Sequence, residues 1–208
     1  MSWWMAAIYD RFMRGMEDAC GAAWRAEILS DIAGDVLEIG GGTGANLAHY
    51  PSSVGRLVIT EPDRHMAARL RRKLAASALA GRAEVVERPV EALDLPPASF
   101  DVAVSTLVLC SVADPAAVLR SLRTWLRPGG RLVFLEHVAS DDPDRLAWQR
   151  RIEPIWKHVA GNCHLCRRTE ASIEAAGFGI ESIRRESARK AMPIVRPTIR
   201  GVARKPDL

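Results

Sequence analysis

The run Asp35-Val36-Leu37-Glu38-Ile39 leads directly into Gly40-Gly41-Gly42-Thr43-Gly44-Ala45, and this junction constrains the chain more than any other stretch. A short, mainly apolar run suits a strand buried on both faces, as in parallel sheets. Glycines after it give a tight turn whose backbone can come close to a ligand. A helix expected from about Ala45 would add its unpaired N–H donors.

The rest of the chain keeps the alternation begun there. Further strands are expected over 56–60, 83–88, 100–105, 131–136, 180–186 and 198–204. Helices are expected from Asp63, over 115–126 with a stop at Pro128-Gly129-Gly130, and up to Gly177. Large apolar residues at 4, 5, 8, 9, 12, 13 and 16 predict an amphipathic first helix, and a second follows from Ala19 to Leu29. The pattern predicts an α/β chain with a mostly parallel, doubly wound, seven-stranded sheet between helical layers. One domain over 1–208 is expected, with 1–30 as a helical cap. The segment 140–168 breaks the alternation and reads as an insertion lining an acceptor pocket.

Composition narrows the function classes. The 208 residues carry 29 basic and 25 acidic side chains, a formal net charge of +4 with no run of one sign. Nothing marks a nucleic-acid face. No stretch reaches the roughly 20 apolar residues of a membrane span. Trp3 and Trp4 suit an interface, but no lysine stripe accompanies them, so at most a weak membrane-surface contact is expected. Cys20, Cys110, Cys163 and Cys166 are scattered, as in a reducing cytoplasm. Cys163-x-x-Cys166 lies near His158 and His164, but zinc sites use two such pairs or a spaced histidine pair, and no metal is expected.

The glycine turn admits two cofactors. Gly40-x-Gly42-x-x-Ala45 with Glu61 beyond it satisfies the dinucleotide fingerprint. Three features weigh against a nicotinamide. Glu38 puts a carboxylate inside an apolar strand, which is costly without a partner such as an ammonium group. Gly44 extends the pattern to E-x-G-x-G-x-G. Leu126-Arg127-Pro128-Gly129-Gly130 precedes the fifth strand.

Together these motifs resemble the class I S-adenosylmethionine-dependent methyltransferases over nearly the whole chain, which implies a Rossmann-like three-layer fold. The resemblance implies that Gly40, Gly41, Gly42 and Gly44 line the methionine and ribose parts of S-adenosylmethionine, and that Glu38 meets its ammonium. Glu61 would accept both ribose hydroxyls. Pro62, Met66, Glu91 and Ala92 would surround the adenine, and Ser105, Thr106 and Leu107 would face the sulfonium. Tyr9 and Asn46 complete the implied cofactor set.

Further stretches narrow the resemblance. Tyr9-Asp10-Arg11-Phe12-Met13, the run from Ser105 to Val112, Leu135-Glu136-His137-Val138-Ala139, Pro154-x-Trp156, the run from Gly161 to Leu165, and Val195-Arg196-Pro197 resemble the small alkyl-thiol S-methyltransferase-like family. Those enzymes cap small thiols and carry a hydrophobic N-terminal anchor. This chain begins where that anchor would end, which implies a soluble relative. A phospholipid or amine N-methyltransferase and a non-catalytic cofactor-binding module are the alternatives. His137 is the candidate base for a thiol acceptor, or else a histidine that shapes the site. Trp156, Cys163 and His164 are the candidate acceptor contacts. Cys110 reads as a buried small hydrophobe beside the cofactor.

Overall fold

A computed structural model describes residues 3–207, with side chains described from Asp10 to Asp207. Strands β1 (Gly34–Ile39), β2 (Val54–Thr60), β3 (Ala83–Val86), β4 (Phe100–Thr106), β5 (Leu126–His137), β6 (Gly179–Ser187) and β7 (Pro197–Arg204) form one sheet in the order β3-β2-β1-β4-β5-β7-β6. β1 to β5 pair parallel, and β7 runs antiparallel to both β5 and β6. The strand order reverses beside β1, with β2 on one side and β4 on the other. Ligands bind at such a switch point, beyond the carboxyl ends of the strands.

Alternation along the strands builds two cores. Leu37, Val58, Ala103, Leu132 and Phe134 face one side, while Val36, Leu57, Ile59, Val102, Val104 and Val133 face the other. Helix α4 (Pro115–Trp125) covers the first face with Val118, Leu119 and Leu122, and α3 (Arg64–Ala75) covers the second with Leu70 and Leu74. Burying one such leucine contributes about 2 kcal/mol. Both helices are capped by aspartates: Asp63 accepts from the backbone N–H of His65 and Met66, and Asp114 from that of Ala117.

Helix α1 (Trp3–Met16) precedes a π turn at Glu17–Gly21 and then α2 (Ala22–Leu29). The expected second helix is therefore opened by a π turn. Met16 and Cys20 pack against Ala188, which joins this cap to the loop after β6.

Further expectations need correction or refinement. No α-helix follows Gly44. The chain instead makes successive turns, with Gly44 N–H donating to Gly41 O, Leu47 N–H to Gly44 O and His49 N–H to Asn46 O. Gly42 and Gly44 hold left-handed backbones at φ +57° and +84°, and Pro51 follows closely. The few residues left between them cannot propagate a helix. The segment 140–168 also carries a 17-residue helix, α5 (Pro143–Val159), capped by Asp142. A turn links it to α6 (Thr169–Ala175). β3 stops at Val86, two residues before its expected end, and Pro89 follows. β5 begins at Leu126 with a register shift through Pro128-Gly129-Gly130.

Candidate active site

A cavity of about 350 Å³ opens at the carboxyl ends of β1 and β4. Its floor is the turn from Gly40 to Asn46, with Glu38 of β1 and Thr106 of β4 beside it. Asp10, Met13 and Arg14 of α1 and Lys73 of α3 close its outer side. Thr43 Oγ1 donates to Asp10 at 2.5 Å, which ties α1 to the turn.

The glycines have separate reasons. A Cβ on Gly40 would meet Val108 at 2.5 Å, and one on Gly41 would meet Ile59 at 2.3 Å. Gly40 is pressed against the loop after β4, and Gly41 against β2. Gly42 faces open space, and its N–H donates to Glu61 Oε2 at 2.8 Å. Glu61 Oε1 accepts from Asp63 N–H at 2.9 Å, so the carboxylate at the end of β2 is fixed by two backbone donors. Burial nevertheless raises its pKa above the ordinary carboxylate range.

Glu38 is 2% exposed and sits at the centre of a polar network. Tyr50 Oη donates to its Oε2 at 2.8 Å and Asn46 Nδ2 to its Oε1 at 2.9 Å. Burial still pushes the carboxyl above its usual range, against those two hydrogen bonds and the nearby Arg25 guanidinium. Arg25 itself is buried, donating through Nη1 to Asn46 Oδ1 at 2.7 Å and to Thr106 Oγ1 at 3.0 Å, and to the Glu17 carboxylate. Sequence reasoning missed Arg25 and Tyr50. The available signal was a charge on the same face of α2 as buried Ile28 and Leu29.

The other expected contacts divide. Glu38, Gly40, Gly41, Gly42, Asn46 and Thr106 come together on the cavity. Glu61 stands beside it through Gly42. Met66 is buried in the first turn of α3, its N–H donating to the Asp63 cap, while Pro62 before the cap is exposed. Glu91 and Ala92 lie in a 3₁₀ turn farther along the sheet's rim, where Glu91 accepts from Ala113 N–H. Ser105 does not present its hydroxyl to the cavity. It donates to Glu136 Oε1 at 2.6 Å in full burial. Glu136 also accepts from the N–H groups of Val108 and Leu109, and so fixes the loop after β4. Leu107 starts that loop with a left-handed backbone at φ 61°. Such strain in a non-glycine residue clusters at functional sites. Tyr9 lies outside the residues whose side chains are described.

His137, the last residue of β5, points to Cys163, with Nε2 2.8 Å from Sγ. Trp156 Nε1 donates to the same sulfur at 3.1 Å. His164 pairs instead with Glu153, which also accepts from Cys166 N–H. The two cysteines of Cys163-x-x-Cys166 therefore face different partners and are not a ligand pair. Cys110 is buried as expected, on the side of Cys163.

This geometry fits an amino acid joined to a nucleoside. An acid and a guanidinium flank one end of the cavity, and a fixed carboxylate lies beyond the glycine turn. A family model described as a methyltransferase domain matches residues 37–134. Thiol S-methyltransferase TMT1B of Homo sapiens is 37% identical in an alignment spanning 97% of this chain and 84% of that protein. Thiol S-methyltransferase TMT1A of Homo sapiens is 34% identical, over 82% of this chain and 70% of that protein. Among solved structures, an S-adenosylmethionine-dependent methyltransferase of Thermotoga maritima superposes with a TM-score of 0.68 at 18% identity, covering 98% of this chain and 100% of that one. The [4+2]-cyclase SpnF superposes at 0.71 with 20% identity, covering 88% of this chain and 78% of that one. These two likenesses show the fold alone.

Proposed function

The chain belongs to the family of the thiol S-methyltransferases that it matches over nearly its whole length, and from that premise we propose that its methyl acceptor is a small-molecule thiol. It is an S-adenosylmethionine-dependent methyltransferase, and the cavity at the β1/β4 switch point is where this reading places the cofactor. The observation that carries the placement is that buried Glu38 and buried Arg25 both line the cavity beside the glycine turn. Glu38 would take an ammonium and Arg25 a carboxylate, while Glu61 would accept the ribose hydroxyls and Gly42 leaves them room.

Bound there, S-adenosylmethionine supplies a methyl group on a sulfonium, a strong electrophile. The protein's task is then alignment and exclusion of water. Thr106 ends β4 beside the cavity, Leu107 opens the loop after it, and Glu136 fixes that loop by accepting from the N–H groups of Val108, Leu109 and Cys110. A thiol as acidic as a cysteine side chain, pKa about 8.5, has a reactive thiolate fraction at neutral pH without a dedicated base. In this proposal His137 holds Cys163 rather than taking the acceptor's proton. A cytoplasmic setting belongs to the same reading and suits four free cysteines. No described helix is long and apolar enough to cross a membrane.

A competition assay tests the acceptor class. The protein is offered S-adenosylmethionine with an equimolar mixture of alkyl thiols, phenols, primary amines and phospholipid vesicles. Methyl thioethers are the expected products. Methylated amine or lipid without thioether would replace this reading with an N-methyltransferase.

A further inference from the structure

Away from the cavity, three side chains that the methyl transfer leaves unused converge from three separate elements. Cys110 stands in the loop after β4, His137 ends β5, and Cys163 lies in the turn after α5. One donor atom from each falls within 4.8 Å of the others, and all three residues are buried. We propose that Cys110, His137 and Cys163 form a zinc site that fastens the segment after α5 to the carboxyl edge of the sheet.

The donor set favours that ion. Two thiols and an imidazole suit a soft-to-borderline cation, and zinc takes such sets at roughly 2.0–2.3 Å in tetrahedral geometry. Binding releases the two thiol protons to solvent, so the divalent ion and two thiolates sum to zero charge. A neutral cluster is what a buried position tolerates. The present 2.8 Å between His137 Nε2 and Cys163 Sγ is a hydrogen bond, and it opens to admit the ion.

His137 meets the cluster through Nε2, while its Nδ1 is buried with no hydrogen-bond partner among the described residues. Two surrounding features support the assignment. Trp156 Nε1 already donates to Cys163 Sγ, the outer-shell contact that orients a metal-bound thiolate. His164 N–H donates to Cys110 O at 2.8 Å, which locks the loop carrying one ligand to the turn carrying another. The site has three protein donors among the described residues, and its fourth position is left to a non-protein ligand.

Cobalt substitution tests this without any assay of turnover. The full chain, with thiols reduced and metal removed, is titrated with Co²⁺ and then Zn²⁺. One equivalent of tightly held metal is expected, with a thiolate-to-cobalt charge-transfer band and intense tetrahedral visible bands that zinc abolishes. C110S and C163S should lose the charge-transfer intensity stepwise and weaken binding about tenfold or more. C166S should leave spectrum and stoichiometry unchanged. A reduced wild-type chain that shows no such bands and holds no stoichiometric zinc overturns the proposal, whether or not the serine variants fold. Loss of the bands in C166S also overturns it, because the ligand set would then be a different one. Thioether formation in the competition assay is a separate readout, so the zinc site and the acceptor class can fail independently.

Discussion

Glu38 carries a carboxyl that burial pushes above its ordinary range, even with Tyr50, Asn46 and Arg25 around it. A cation seated against it would favour the ionised form and draw that pKa down again. Cofactor binding should therefore release a proton wherever Glu38 is still protonated, and affinity should rise with pH above the ordinary carboxylate range until Glu38 is ionised. Glu61 is raised by burial too and adds to the same slope. Calorimetry with S-adenosylmethionine from about pH 5 to pH 7, a span just above ordinary carboxylate values, reads this directly. The exchange Glu38→Gln should weaken binding about tenfold or more, since a hydrogen bond to a charged group is worth about 1.5–3 kcal/mol, and should flatten most of the slope. A pH-independent affinity in the wild type would remove Glu38 from the ammonium site. The exchange Arg25→Met should raise the KM for S-adenosylmethionine about tenfold or more on the same scale. An unchanged KM would leave Arg25 with a purely structural part.

Among the elements, the glycine turn and α5 make the sharpest predictions. A methyl group at Gly41 would sit 2.3 Å from Ile59 Cγ2, against a fully buried strand residue. The exchange Gly41→Ala should lower stability by about 1–3 kcal/mol, the usual cost of overpacking, and reduce cofactor affinity with it. A variant as stable as the wild type would mean that the turn is free to move. Asp142 Oδ1 accepts from Arg145 N–H at 2.8 Å and caps α5. Asp142→Ala should cost about 1 kcal/mol, or about 2–4 °C in Tm for a chain of this size. No change in Tm would show that α5 is held by its packing alone. The strands and helices of the sheet were legible because their apolar periods are long and end in Gly, Pro or Asp. Helix α5 was not, because Trp148, Ile155 and Val159 are exposed and blur its apolar face. Its Asp142-Pro143 start was the one clear mark, and it repeats Asp114-Pro115 of α4. The helix expected after Gly44 failed for the opposite reason, since glycines at positive φ end a turn but leave no room to propagate.

Across the whole molecule, three buried glutamates share one sign. Glu38, Glu61 and Glu136 all have carboxyl pKa values raised by burial, so the folded chain holds their protons more tightly than the unfolded one. Their stabilising contribution is complete below the unfolded carboxylate pKa and is lost as pH rises through the higher folded values. The cofactor-free chain should lose part of its stability from this source as pH rises through the mildly acidic range, and S-adenosylhomocysteine should restore it. At about 100 times its Kd a ligand adds about 2.7 kcal/mol, which a thermal scan resolves. Much of the candidate site was readable, because Glu38, the glycines and Glu61 stand at or just beyond strand ends at fixed spacing. Arg25 and Glu136 were not, since nothing local brings a residue on α2 or β5 to the ends of β1 and β4; only the tertiary fold does. Tyr50 is local to β1, just past the glycine turn, but no motif marks it. The same holds for Cys110, His137 and Cys163, which are far apart in sequence. The most direct test of the account is transfer of the label itself. Protein is mixed with S-adenosylmethionine carrying a ¹³C methyl and a single small alkyl thiol, and products are followed by mass spectrometry. A labelled methyl thioether and S-adenosylhomocysteine are expected in equal amounts, both lost in the exchange Glu61→Ala. S-adenosylmethionine left intact in the presence of the thiol, or label appearing on any other atom, would contradict the assignment of a thiol acceptor.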